Sequence, residues 1–215
     1  MKKRVLITGF DPFGDDNVNP ALEAVKQLDG MVIENIDIVA QEVPTVFHNS
    51  IKVMIHAIET HQPDVVICVG QAGGRTQVTP ERIAINIDDA RILDNHKNLP
   101  IDEPIYEEGP AAYWTTLPVK RMVHQMRKAG VPAAVSNTAG TFVCNHLFYG
   151  LMHYIENSAS HIRGGFIHIP YIPEQTVVNG APSLNLDDII RGLKIATVIA
   201  ANEKEDIREI GGTTH

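Results

Sequence analysis

Residues 64–70 read D-V-V-I-C-V-G. Four of the five residues from Val65 to Val69 are β-branched, and no polar residue alternates with them. A strand apolar on both faces must be covered on both faces, and a run of this length closed by glycine reads as the central strand of a parallel sheet. Working outward, R-V-L-I-T at 4–8 ends at Gly9 and reads as a second buried strand. Strands are also expected at 31–43, 82–87 and 131–136, and within R-G-G-F-I-H-I-P at 163–170. Between them lie helical patterns. Asn19-Pro20 supplies an N-cap and a proline at the first helical position, predicting a helix over A-L-E-A-V-K-Q-L. Apolar spacing predicts further helices over 46–61, from Pro118 to Gly130, and over 141–157. A last helix should begin near N-L-D-D-I-I, with Asn185 and Asp188 at capping-box positions. Strands separated by helices predict a single α/β domain over 1–215, a three-layer α/β/α sandwich around a mostly parallel twisted sheet. Residues 89–112 show little periodicity and read as a long surface excursion.

Composition narrows the function classes. At 215 residues the chain can bury a sizeable core. A formal net charge of -8 and the lack of an Arg/Lys cluster interleaved with aromatics argue against a nucleic-acid surface. The start M-K-K-R-V-L-I-T resembles a secretory signal, but its apolar run is too short and Asp11 and Asp16 follow closely. No stretch is long enough to span a bilayer, so no membrane partner is expected. The two cysteines do not make a disulfide framework and read as free thiols of a cytoplasmic protein. No H-x-x-x-H or C-x-x-C grouping suggests a metal, and G-Q-A-G-G-R at 70–75 matches neither dinucleotide nor P-loop patterns, so no cofactor is expected.

Open parallel sheets bind ligands beyond the C-terminal ends of their strands. The loops after Thr8, Val69, Ser136 and Ile169 should therefore meet at one edge. In S-N-T-A-G-T-F-V-C-N-H-L-F at 136–148, Cys144 shares a helical face with Leu147, Phe148, Leu151, Met152 and Ile155, which favours a core cysteine. Its place in the first turn favours a nucleophile, because unpaired backbone N–H groups there stabilise a thiolate or an oxyanion, and Gly140 permits a sharp turn before it. Cys68, inside its strand, reads as core. Of the ten histidines, His168 stands at the C-terminal end of a strand and is the candidate base, whereas His146 diverges from Cys144 on the helix. Glu81 opens an otherwise apolar strand and is the candidate orienting carboxylate, with a surface position as the competing reading.

Four ordered blocks carry a family resemblance: G-F-D-P-F-G at 9–14, G-Q-A-G-G-R-T-Q-V-T-P-E-R-I-A-I-N at 70–86, S-N-T-A-G-T-F-V-C-N-H at 136–146, and F-I-H-I-P at 166–170. With these the chain resembles the bacterial pyroglutamyl peptidase I family, cysteine omega-peptidases that remove an N-terminal pyroglutamate. The resemblance implies Cys144 as nucleophile, His168 as base and Glu81 as acid, acting through a thioester. It implies a cytoplasmic homotetramer with pyroglutamyl peptides as substrates and Arg91 near the oxyanion. It also supports a pocket walled by Phe10, Phe13 and Phe142, with backbone groups in the first loop and around Gln71 reading the lactam. Two other readings compete. A nucleoside or sugar-phosphate phosphorylase would keep Cys144 structural and bind its anion with Arg75 or Arg91. A non-catalytic small-molecule binding domain would bury Cys144.

Overall fold

The computed structural model describes residues 2–14, 16–158 and 161–212. Its elements in chain order are β1 (Lys3–Phe10), α1 (Pro20–Lys26), β2 (Val32–Ile33), β3 (Ile36–Val43), α2 (Asn49–His61), β4 (Val65–Gln71), β5 (Thr79–Pro80), β6 (Ile83–Ile85), β7 (Ala112–Trp114), α3 (Val119–Lys128), α4 (Val143–Asn157), β8 (Arg163–Ile169), α5 (Pro173–Thr176) and α6 (Leu186–Asn202). Six strands form one sheet in the order β2-β3-β1-β4-β8-β5, and β6 pairs with β7 apart from it. The four inner strands run parallel, while β2 and β5 run antiparallel at the two edges.

The apolar run that opened the sequence is β4, and every one of its residues is buried. Alternate side chains divide the core. Val65, Ile67 and Val69 join Val5, Ile7, Ile167 and Ile169 under residues of α1, α3 and α6. Val66 and Cys68 join Leu6 and Phe166 under residues of α2 and α4. Two helical layers on a mostly parallel sheet are the expected α/β/α architecture. Among the described residues, no helix is long and apolar enough to cross a membrane.

Local corrections follow from backbone chemistry. The strand expected over 31–43 is a hairpin: Glu34 and Asn35, with φ of 48° and 63°, turn β2 back on β3. The strand expected over 82–87 is β6, shortened to Ile83–Ile85 and separate from the main sheet. Pro80 has no N–H to extend the ladder, so β5 ends the sheet, and β6 leaves it to pair with β7. Residues 131–136 are extended, but they form only isolated bridges, Val78 with Ala133 and Glu81 with Ser136. Helix α2 starts at Asn49, later than expected, because His48 has a φ of 59° and the Phe47 amide donates to Asp94 Oδ2 at 3.0 Å. Asn185 precedes α6, but its side chain makes no cap bond, and Asp188 Oδ1 instead accepts from Arg191 Nη2 at 2.7 Å.

The excursion over 89–112 is held at a few points. Asp94, 5% exposed, accepts from the amides of Phe47, His96 and Asn98, and Asp88 and Glu103 exchange backbone hydrogen bonds. At the start of α1, Asn19 Oδ1 accepts from the Ala21 amide at 3.0 Å, the predicted cap of that helix.

Gly9 is where α1 meets β1. A Cβ there would lie 2.8 Å from Leu22 Cα and 3.0 Å from Ala21 O, both backbone atoms that cannot swing away. Gly9→Ala should therefore cost about 1–3 kcal/mol, as overpacking does. That corresponds to roughly 3–10 °C in thermal midpoint for a chain of this size. A melt by circular dichroism checks this, and an unchanged midpoint would show that α1 packs less tightly than described.

Candidate active site

The sheet order brings three of its strands to one place. Gly70 of β4 is paired with His168 of β8, and His168 with Thr79 of β5. One residue beyond β5, the Glu81 amide donates to Phe166 O at 2.8 Å, which anchors Glu81 beside β8. The Glu81 side chain then lies behind the imidazole: His168 Nδ1–H donates to Glu81 Oε1 at 2.7 Å. This bond fixes the tautomer and leaves Nε2 as the free nitrogen of the ring.

Cys144 arrives from the helical layer. Phe142 is the N-cap of α4 and Gly140, with a φ of 77°, turns the chain just before it. The thiol is seated on β4, since a Cβ on Gly70 would lie 2.9 Å from Cys144 Sγ and 2.8 Å from Phe166 Cζ. Only glycine leaves room for sulfur at this point. Because Gly70 is also the ladder partner of His168, the thiol and imidazole are neighbours at the same sheet edge. The next two residues pin the turn. Asn145 accepts from the Ile85 amide and donates to Ile85 O and Ile87 O, while His146 Nδ1 lies 2.7 Å from Asp88 Oδ2. His146 Nε2 accepts from the His48 amide, so Nδ1 carries the proton donated to Asp88. Neither Asn145 nor His146 is exposed.

Cys144, His168, Phe10, Phe13, Gln71, Arg91 and Phe142 all line one cavity of about 710 Å³. Glu81 stands behind it, 0% exposed, so the surface-carboxylate reading is excluded. Phe13 and Phe142 are half-buried with ring centroids 6.3 Å apart, and Phe47 braces Phe142 edge-on at 5.4 Å. Phe10 is 2% exposed and packs mainly in the core, 6.4 Å from Phe166. Arg91 is exposed at the rim. Cys68 is buried and its thiol is pushed up to about 12 by burial.

Electrostatics at the thiol act in both directions. The first turn of α4 leaves amides unpaired, the first helical bond being His146 N to Phe142 O. That favours a thiolate, but burial acts against it, and the Glu81 charge adds to burial. Together they push the Cys144 thiol up to about 12 against a smaller lowering effect of Arg75. Burial likewise lowers His168 from the ordinary imidazole value, against the opposing hydrogen bond and charge of Glu81.

The competing phosphorylase reading would give Arg75 or Arg91 to an anion of the ligand; in the structure Arg75 Nη1 meets Glu81 Oε1 at 2.7 Å and also bonds Thr79 Oγ1, while Nη2 donates to Thr138 O at 3.0 Å. Its charge is committed to the buried carboxylate. The sequence signal for this was the spacing of Arg75, Thr79 and Glu81 in one loop, legible only once β5 is known to run beside β8. Asn145 and Asp88 were also missed, and two polar residues directly after Cys144 on an apolar helix were their one signal. Among the described residues, no grouping of three or more His, Cys, Asp and Glu is placed to hold a metal ion.

Comparisons with known proteins identify the family. The family model described as pyroglutamyl peptidase, peptidase C15, matches residues 3–203. The pyrrolidone-carboxylate peptidase of Bacillus licheniformis is 62% identical over 213 residues, 99% of each chain. That of Bacillus subtilis is 61% identical over 215 residues, the full length of both. The crystal structure of pyroglutamyl peptidase I from Bacillus amyloliquefaciens superposes with a TM-score of 0.96 at 61% identity, covering 98% of this chain and 100% of that one. The pyrrolidone carboxyl peptidase of Thermococcus litoralis, at 35% identity, still gives 0.93 and covers 97% of this chain and 99% of that one. The chain belongs to the pyroglutamyl peptidase family.

Proposed function

We propose that this chain, acting as one peptidase domain over 1–215, is a cysteine exopeptidase that hydrolyses the amide bond after an N-terminal pyroglutamyl residue. The observation that carries the reading is the seating of Cys144 Sγ on Gly70, beside an imidazole whose Nδ1 is bonded to a buried carboxylate. The names of the close relatives support the substrate class.

In the proposed reaction His168 Nε2 takes the thiol proton as sulfur attacks the acyl carbon. The imidazole acts as a general base in this step. The new C–S bond leaves the carbonyl oxygen negative, and the unpaired amides at the start of α4 face that charge. The C–N bond then breaks, and His168 returns its proton to the leaving amine. Water, deprotonated by the same nitrogen, attacks the thioester; the C–S bond breaks, and sulfur regains its proton. Glu81 keeps the ring in one tautomer and stabilises the imidazolium, and Arg75 holds Glu81.

A pyroglutamyl ring is flat, neutral and lacks an ammonium group. It therefore needs apolar walls and hydrogen bonds, not an anionic anchor. Phe13 and Phe142 supply the walls in this reading, Phe10 the floor, Gln71 a polar contact, and Arg91 a charge at the rim near the oxyanion. We further propose a cytoplasmic homotetramer. Its support is the resemblance of the four motif blocks, the two unpaired cysteines, and exposed apolar side chains such as Val177 and Ile101 at 82% and 64%.

Cys144→Ala should abolish hydrolysis of a pyroglutamyl-coumarin amide and leave the circular dichroism spectrum intact; wild-type turnover in that variant would remove Cys144 from the chemistry. Phe13→Ala should raise KM by about 10-fold or more with little change in stability, the size of effect a lost apolar contact gives. Steady-state kinetics on that variant checks the assignment, which unchanged kinetics would sink. The base form of His168 persists as pH falls below 6.5, because its pKa is lowered. The acid limb of kcat/KM should accordingly lie below 6.5, and a limb above 7 would point to a different base.

A further inference from the structure

Gln71 lines the cavity, and its carboxamide has two chemically opposite ends. Which end faces a ligand decides whether the site offers a donor or an acceptor. The choice can be read from a chain of hydrogen bonds that starts at a backbone amide. The Ile172 N–H can only donate, and it donates to the side-chain oxygen of Gln175 at 3.1 Å. The other end of that side chain is therefore the NH2 group. It donates to Gln71 at 3.0 Å and to Asp16 Oδ2 at 3.2 Å, one N–H for each. A group receiving an N–H must accept, so the end of Gln71 that meets Gln175 is Oε1. Among the described residues its Nε2 donates to no group, and it is not among the buried partnerless atoms.

We propose that Gln175 is a positioning residue that locks the Gln71 carboxamide with Nε2 turned to the cavity, where it donates to the lactam carbonyl of the pyroglutamyl ring. The proposal rests on the pyroglutamyl reading above. The three side chains come from separate places: Gln71 from the end of β4, Asp16 from the loop after β1, and Gln175 from α5 beyond β8. Because α5 places Gln175 by its own first-turn bonds, the orientation of Gln71 is set before any substrate arrives. A site with a fixed donor discriminates a ring carbonyl from an apolar isostere far better than shape alone does, since the mismatch leaves a polar group unpaired.

The test is a substitution that keeps shape and reverses donation. In Gln175→Glu the side chain still accepts from Ile172 but has no N–H for Gln71, which is then free to turn its own NH2 away from the cavity. Gln175→Met removes both functions without adding charge beside Asp16. For each variant, two readings are made: KM and kcat with a pyroglutamyl-coumarin amide, and the ratio of inhibition constants for 2-pyrrolidinone and pyrrolidine-2-thione. The two inhibitors share ring and N–H, but sulfur accepts poorly. Wild type should favour the oxygen lactam. Both variants should raise KM about 10-fold or more, change kcat by less than about 3-fold, and bring the inhibition ratio close to one. A raised KM with the oxygen preference intact would show a merely structural role and overturn the proposal, as would unchanged kinetics. Loss of folding in Gln175→Glu leaves Gln175→Met to decide by the same criteria. If wild type does not hydrolyse the pyroglutamyl amide at all, the functional reading fails and this proposal with it; hydrolysis by wild type with unaltered variants overturns the proposal alone.

Discussion

A carboxylate with no exposure to water sits at the centre of the site, and its burial has to be compensated. Taking such a group from water costs several kcal/mol unless charge and hydrogen bonds replace the solvent. Glu81 receives both, from the Arg75 guanidinium and the His168 ring, each at 2.7 Å on the same oxygen. Arg75 in turn ties this oxygen to Thr79 and to the loop that precedes Cys144, through Thr138 O. One buried charge thereby couples the end of β4, the edge strand β5, the base on β8 and the turn before α4. The need to satisfy Glu81 constrains all four at once.

The same burial shapes the chemistry. Cys144 is partly buried where the cavity walled by Phe13 and Phe142 meets the core, and burial together with the Glu81 charge raises its pKa despite its place at a helix N-terminus. The charge of Arg75 acts in the thiolate's favour, against burial and the Glu81 charge. The proposed reaction needs the imidazole correctly oriented, which makes the Glu81 bond central to it. The polar residues after Cys144 serve the same end mechanically: Asn145 and His146 fasten the reactive turn to 85–88.

Legibility in the sequence followed how local each feature was. The continuous β-branched run of β4, the Asn19-Pro20 cap and the periodic helices needed only neighbours along the chain, and they appear where patterning put them apart from the later start of α2. The hairpin at Glu34-Asn35 was hidden because neither residue is a glycine, so the usual turn signal was missing. The division of 79–85 into two strands was hidden because it depends on Pro80 lying against β8, a partner distant in sequence.

By itself, then, the sequence determined an α/β/α sheet fold, a cysteine at the start of a helix, and a histidine at a strand end, since hydrophobic period and punctuation are properties of short segments. It also carried the motif blocks through which the family is recognised. Only the tertiary structure decided that Glu81 is interior, that Arg75 serves Glu81 rather than a ligand, and that Gly70 makes room for sulfur. The Gln175 amide likewise reaches Gln71 only in the folded chain. The physical reason is common to all four: each depends on burial or on a contact between segments far apart in sequence, and neither exists until the sheet order brings β4, β8 and β5 side by side.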